Sequence, residues 1–244
     1  METHEKTLVA GMKRLCLAIL FAGAAQAAVE PASGHAEEVY RSGKRAVQGK
    51  EYVLAVEQME RAVALAPRVS DYHHWLGNSY AWAAAIAPMC DKSALGRKCL
   101  AAYQRALALD PDNLAARFSL MNFYRHVPRL LGGGPRRAAA EAEEIHRRDP
   151  AEGAYARAVL LGDEKKYAQA FAALAGVLRQ KPDHYAANSL FGRLALASGE
   201  RVPEGAAALR RCLKFTPAET DESHETVTRW LSELPGPVNL SSIN

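Results

Sequence analysis

The sequence has no block of Lys or Arg, no strong imbalance of charge and no apolar run of membrane-spanning length. Each absence removes a class of function. Its 31 Lys+Arg stand against 27 Asp+Glu, a formal net charge of +4, and they are scattered along the chain. That leaves no electrostatic footprint for nucleic acid. A bilayer span needs about 20 apolar residues, and the apolar run at 15–22 (LCLAILFA) is much shorter. Cysteine is sparse, with Cys16, Cys90, Cys99 and Cys212 the whole complement. What is present is an ordinary composition, 49% apolar and 24% charged over 244 residues, which fits one soluble domain with a sizeable core.

The N-terminal segment reads as a targeting signal. Met12-Lys13-Arg14 is a basic start, residues 15–22 are the apolar run, and Ala25-Gln26-Ala27 supplies a small-x-small cleavage site. The pattern predicts a cleavable secretory signal over residues 1–27 and a periplasmic or secreted protein. Glu2 and Glu5 fit a signal poorly, so Met12 is an alternative start. An uncleaved anchor is the alternative reading, disfavoured by length. Export permits disulfides, but the mature chain keeps three cysteines, an odd number. A Cys90–Cys99 bridge is disfavoured: a helix starting near Asp91 would separate them by about 12 Å, against about 7 Å for a disulfide.

The strongest pattern is periodic. Pro67, Pro111, Pro150, Pro182 and Pro217 each close an amphipathic segment. Five residues before them stand Ala62, Ala106, Ile145, Val177 and Cys212, and seven before those stand Ala55, Cys99, Ala138, Ala170 and Gly205. Small residues at such spacing let paired helices approach closely. A period in the thirties marks a solenoid, in which each unit buries its apolar face against its neighbours. In the first unit the pattern predicts helices over 36–48 and 52–65, with Gly43 facing the second helix.

The same residues carry a resemblance. Leu76-Gly77, Tyr80, Tyr103, Ala106 and Asp110-Pro111 in the second unit are similar to the tetratricopeptide repeat. So are Leu120, Tyr124, Ala138 and Asp149-Pro150 in the third, Tyr167, Ala170 and Pro182 in the fourth, and Phe191-Gly192, Leu209 and Pro217 in the fifth. The family's early tryptophan is missing; His73 stands there in unit two, with Trp75 nearby. The resemblance implies an all-α solenoid of about five helix-hairpin repeats over residues 36–217, winding as a right-handed superhelix. Residues 28–35 are expected as a linker, 218–234 as a capping helix built on Val227, Trp230, Leu231 and Leu234, and 235–244 as a disordered tail. Glu219, Asp221 and Glu222 would favour that helix's N-terminus.

The prolines are spaced 44, 39, 32 and 35 residues apart, so units two and three carry insertions. The first is expected to break at Pro88, with Asp91 as an N-cap; the second is 127–134 (VPRLLGGG), with Pro135 opening a helix. Both insertions resemble features of some exported bacterial members of the family.

No catalytic residues, metal ligands or cofactor are predicted. Gly132-Gly133-Gly134-Pro135-Arg136-Arg137 could cradle an anion but lacks the P-loop Lys-Ser/Thr pair, so a connecting loop is the simpler reading. Adjacent His73 and His74 point about 100° apart on a helix and cannot chelate together. No Gly-x-Ser-x-Gly elbow or helix-spaced nucleophile and base occurs.

The resemblance instead implies a groove lined by the first helices, where a peptide or protein binds. Its residues would be Tyr40, Lys44 and Gln48 in unit one, His74, Asn78 and Trp82 in unit two, and Phe118, Asn122, Arg125 and His126 in unit three, followed by Tyr155 and Arg193. The implied function is a non-enzymatic interaction scaffold or adaptor in the bacterial cell envelope. An enzyme with its site across the two inserted loops, or a self-assembling envelope component, are the competing readings. The oligomeric state is left open.

Overall fold

The structure is a computed structural model that describes residues 29–235 except residue 220, with side chains from residue 34. The expected signal over 1–27 and the tail over 236–244 lie outside the described residues. All regular structure among the described residues is helical: α1 (Val29–Gln48), α2 (Tyr52–Leu65), α3 (Ser70–Ile86), α4 (Met89–Leu109), α5 (Leu114–His126), α6 (Pro135–Arg148), α7 (Pro150–Asp163), α8 (Tyr167–Gln180), α9 (Tyr185–Ser198), α10 (Val202–Cys212) and α11 (His224–Glu233), with one 3-10 turn at Arg129–Leu131. The chain divides into two compact units at Pro111 and Asp112. Hairpins α1/α2 and α3/α4 form the first. Hairpins α5/α6, α7/α8 and α9/α10 form the second, with α11 packed on α10 and α9.

Each second helix buries one stripe at helical spacing. The buried sets are Ala55, Met59 and Ala62 in α2; Cys99, Tyr103 and Ala106 in α4; Ala138, Ala142 and Ile145 in α6; Ala170, Leu174 and Val177 in α8; and Gly205, Leu209 and Cys212 in α10. These are the positions that the proline spacing marked, and the i, i+4, i+7 pattern puts them on one face. The middle residue fills the seam against a small residue of the first helix: a Cβ on Gly77 would stand 2.4 Å from the Tyr103 ring. The third hairpin reverses the sizes, with Met121 buried on α5 and Ala142 on α6. First helices are covered on more sides; residues 72–80 of α3 are buried without a break. Gly153 faces backbone and not a flexible side chain, because a Cβ there would lie 2.2 Å from the His146 Cα. Helices α6 and α7 therefore meet backbone to backbone.

The termini of the helices depart from expectation at several points. Helix α1 begins at Val29, so residues 29–35 are helical and not a linker; the proline at 31 falls in the first turn, where its missing N–H is no loss. Pro88, not Asp91, is the N-cap of α4, and Asp91 sits in the first turn, where its charge suits the helix dipole. Cys90 and Cys99 then share α4 about 13 Å apart along its axis, and both are free thiols. Pro67, Pro111 and Pro182 follow α2, α4 and α8 as expected. Pro150 instead opens α7, with Asp149 accepting from the Ala151 and Glu152 N–H groups as its N-cap. Helix α10 ends at Cys212, where the chain turns through Lys214 N–H to Arg211 O and Phe215 N–H to Cys212 O, before it reaches Pro217. The final helix is shorter than expected: Ser223 caps α11 through the Thr226 N–H, and α11 starts only at His224. Val227 of that helix and its C-cap residue Leu234 are buried, and Trp230 and Leu231 are half-buried, the face expected of a cap.

Candidate functional site

The first unit spends its groove residues on itself. Tyr40 stacks on Tyr72 with centroids 4.6 Å apart, and the Lys44 ammonium lies 4.9 Å from the Trp75 ring centroid and 5.6 Å from that of Tyr40. Trp82 is half-buried between Tyr52 and Trp75. Gln48 is exposed at the last position of α1. His74 and Asn78 correct the sequence reading, since both are buried. The Tyr103 hydroxyl donates to Asn78 Oδ1 at 2.8 Å, and Asn78 Nδ2 donates to His74 Nε2 at 3.2 Å. Burial pushes the His74 imidazole down to about 4, so it is the neutral acceptor this bond requires. Both amide groups of Asn78 are thus engaged inside the unit, and neither faces a partner. His73 Nε2 lies 2.9 Å from Pro67 O, which ties the loop before α3 to that helix.

The second unit assembles Phe118, Asn122, Arg125 and His126 on α5, Tyr155 on α7 and Arg193 on α9. Phe118 and Tyr155 stack at 5.2 Å with planes only 5° apart, and His184, the N-cap of α9, packs tilted against Tyr155 with ring centroids also 5.2 Å apart. The ring of His184 is itself fixed, because Nε2 lies 3.2 Å from the Glu152 carboxylate and Nδ1 accepts from the Ala187 N–H. Glu152 is held below the usual carboxylate range by His184 and Lys181. Asn122 and Arg125 are committed within the unit: Arg125 donates to both oxygens of Asp163 at 2.6 and 3.2 Å and to Asn122 Oδ1 at 2.7 Å. That bidentate pair joins α5 to α7 and fixes the wall of the groove. His126 is exposed, with its pKa lowered by burial of the ring's inner side and by Arg125.

Beside Tyr155 the chain forms a small open pocket of about 80 Å³, lined by Tyr155, Ser189, Leu190, Arg193, Asp221 and Glu222 among others. Its donors are unspent. Among the described residues Tyr155, Ser189 and Arg193 have no hydrogen bond or ion pair, although Ser189 is only 5% exposed. Burial pushes the Tyr155 phenol up to about 12, so its hydroxyl is a donor at neutral pH. Ser189, Asp221 and Glu222 were not foreseen as site residues. The signal for Ser189 is its position one turn before Arg193 on α9; the two acids stand where the sequence predicts the start of the last helix.

The other sequence candidates resolve as local structure. Arg137 of the glycine-rich run donates to Gly132 O at 2.6 Å and lies over the Tyr124 ring, so the run is a connecting loop tied back on itself. Burial lifts the Cys99 and Cys212 thiols to about 12, making them inert core groups. Among the described residues no three His, Cys, Asp or Glu side chains gather to hold a metal ion, and no helix is long and apolar enough to cross a membrane.

No family model and no curated protein matches the sequence. Solved structures do match the fold. A thermophilic tetratricopeptide-repeat protein of Thermus thermophilus superimposes with a TM-score of 0.61 at 19% identity, covering 82% of this chain and 98% of its own. PilW, a widely conserved type IV pilus biogenesis factor, gives 0.53 at 14% identity over 75% of this chain and 79% of its own. PilF of Pseudomonas aeruginosa gives 0.52 at 15% identity over 78% and 79%. With its small-residue seams, paired helices and terminal cap, the chain is a protein of the tetratricopeptide-repeat fold.

Proposed function

We propose that this chain is a non-catalytic interaction scaffold or adaptor, and that it holds a peptide or protein segment in the groove lined by α5, α7 and α9. The observation that carries this reading is the set of unspent donors on Tyr155, Ser189 and Arg193 beside the flat Phe118–Tyr155 stack. Tyr155 and Arg193 are half-buried, so their donors are accessible to a partner that enters the groove. Aromatic and Arg side chains are the usual anchors of protein recognition. The rest of the groove is rigid: Arg125–Asp163 and Glu152–His184 bind neighbouring helices together, so little ordering is left for a partner to impose.

The setting we propose is the bacterial cell envelope, as a periplasmic or secreted protein. The basic start, apolar run and small-x-small site at 12–27 support that reading. N-terminal sequencing of protein from the natural cell envelope tests it, with Ala28 the expected first residue; an intact N-terminus in the cytoplasm would refute it.

For the groove, the mature chain is used to capture partners from native envelope extract, in parallel with Tyr155→Ala and Arg193→Ala. Capture of a defined protein by the unaltered chain, lost in both variants while helicity and melting are unchanged, is the expected result. Equal capture by all three would remove the groove from the account.

A further inference from the structure

The loop between α5 and α6 presents apolar side chains that no part of the groove uses. Leu130 is 99% exposed and Leu131 is 53% exposed, side by side on the 3-10 turn Arg129–Leu131. Single exposed leucines are normal on a protein surface; these two are adjacent and held out by a fixed turn. The Leu131 N–H donates to Pro128 O at 2.9 Å and the Gly132 N–H to Arg129 O at 3.1 Å. The Gly133 N–H also reaches Pro128 O, the Gly134 N–H donates to Tyr124 O at 2.7 Å, and Arg137 Nη1 donates to Gly132 O. Glycine is required twice, because Gly132 has a φ of 92° and a Cβ on Gly133 would collide with Val127 O. The backbone of the loop is thus folded inward, and both leucines are turned to solvent.

The surroundings of this tip are cationic. No Asp or Glu stands between residues 114 and 140. Of the arginines in that stretch, Arg117 and Arg125 are matched by Glu141 and Asp163. Arg129, Arg136 and Arg137 are exposed and form no ion pair among the described residues. A Cβ on Gly134 would lie 3.0 Å from Arg129 Cγ, and Arg137 bonds Gly132, so both side chains run beside the glycines that follow the leucines.

We propose that the Leu130–Leu131 turn is a peripheral anchor for an anionic lipid surface, with the two leucines entering the acyl boundary and Arg129, Arg136 and Arg137 meeting lipid phosphates. Apolar side chains that dip into the interface and cations beside them act together on an anionic membrane. Arginine suits the phosphate level, because its guanidinium fork matches phosphate oxygens. A lipid surface fits better than a protein partner, since a protruding tip of two leucines is too small to be the core of a specific protein interface. Hydrogen bonds already hold the turn, so little ordering opposes insertion. The contact is reversible, because two leucines and three arginines fall short of what stable anchoring takes. It uses none of the groove residues and goes beyond the scaffold reading by giving the scaffold a surface to sit on.

Flotation of the mature chain with lipid vesicles tests the assignment. Phosphatidylcholine vesicles are set against vesicles in which about a third of the lipid is phosphatidylglycerol. The chain is expected to bind the anionic vesicles at least about thirtyfold more tightly than the neutral ones, and to be released as salt screens the arginines. Leu130→Ser with Leu131→Ser should weaken that binding at least about tenfold, through the apolar burial lost. Arg129→Gln with Arg136→Gln should weaken it about thirtyfold, as the loss of two charges near an anionic surface predicts, and remove most of the preference for anionic lipid. Leu130→Trp reports insertion directly: its emission should shift to the blue on anionic vesicles and be quenched by brominated acyl chains, beyond any change in the unaltered chain. All the substituted side chains are exposed, and circular dichroism checks that each variant keeps its helices. No binding to anionic vesicles at about 5 mM lipid, equal binding to neutral and anionic vesicles, or binding that survives either pair of substitutions overturns the anchor. A discrete protein crosslinked through a benzophenone amino acid at Leu130 in envelope extract, with no vesicle binding, would assign the loop to a protein partner and overturn it as well.

Discussion

The two units place similar residues at similar positions on their first helices and use them in opposite ways. On α3 of the first unit, His74 and Asn78 turn inward and satisfy each other and Tyr103. Across α7 and α9 of the second unit, Tyr155, Ser189 and Arg193 keep their donors and open onto a pocket. The difference lies in the second helices. Tyr103 is large enough to cross the seam over Gly77 and deliver its hydroxyl to Asn78. Leu209 fills the matching seam over Gly192 and has nothing polar to deliver, so Arg193 stays open. A polar residue on a groove-facing position is a ligand contact only if the partner helix leaves it unsatisfied.

The contrast can be tested at its foundations first. Gly153→Ala sets a Cβ against backbone of α6 and should destabilise the second unit by about 3 kcal/mol, the upper end for overpacking. Gly77→Ala meets only the Tyr103 ring and should cost less. Urea unfolding of both variants measures the difference, and equal losses would mean that the two seams are equally pliable.

Acid should act through the first unit. His74 has a folded pKa of about 4 against an ordinary 6.5, so the folded state disfavours the proton. The neutral ring contributes its full stability above about pH 6.5, and that stability falls progressively as the pH drops towards 4, by up to about 3 kcal/mol. Urea midpoints at pH 7 and pH 4.5 should show the loss, with a flatter dependence in His74→Gln. His126 of the second unit is exposed and contributes less.

Asn78→Ala removes the acceptor of the Tyr103 hydroxyl and the donor to His74 Nε2, and should cost about 1–3 kcal/mol in thermal or urea melts. Arg193→Ala touches no internal partner and should stay within about 0.5 kcal/mol of the unaltered chain. Reversal of that order would mean that Arg193 serves the fold and Asn78 does not.

The sequence made some of this legible. The stripe of Ala55, Met59 and Ala62 and its four counterparts follows from spacing alone, because close helix approach demands small residues at fixed intervals. The resemblance put Phe118, Tyr155 and Arg193 on first helices, but the stack of Phe118 on Tyr155 was not legible from it. What spacing cannot tell is which polar groups find partners across a seam, as with Asn78, or across two helices, as with Arg125 and Asp163. Nor can it fix a helix start among competing caps. Ser223 takes that role for α11 and leaves Asp221 and Glu222 on the loop that walls the pocket.

The central claim, that the groove of the second unit holds a protein segment, is tested most directly by photo-crosslinking in envelope extract. A benzophenone amino acid is placed at Phe118 in one protein and at Gln169, exposed on α8, in another. The account predicts one discrete protein adduct from Phe118, absent from Gln169 and lost when Arg193→Ala is added. Adducts of equal yield from both positions, or a Phe118 adduct that survives Arg193→Ala and Tyr155→Ala together, would contradict it.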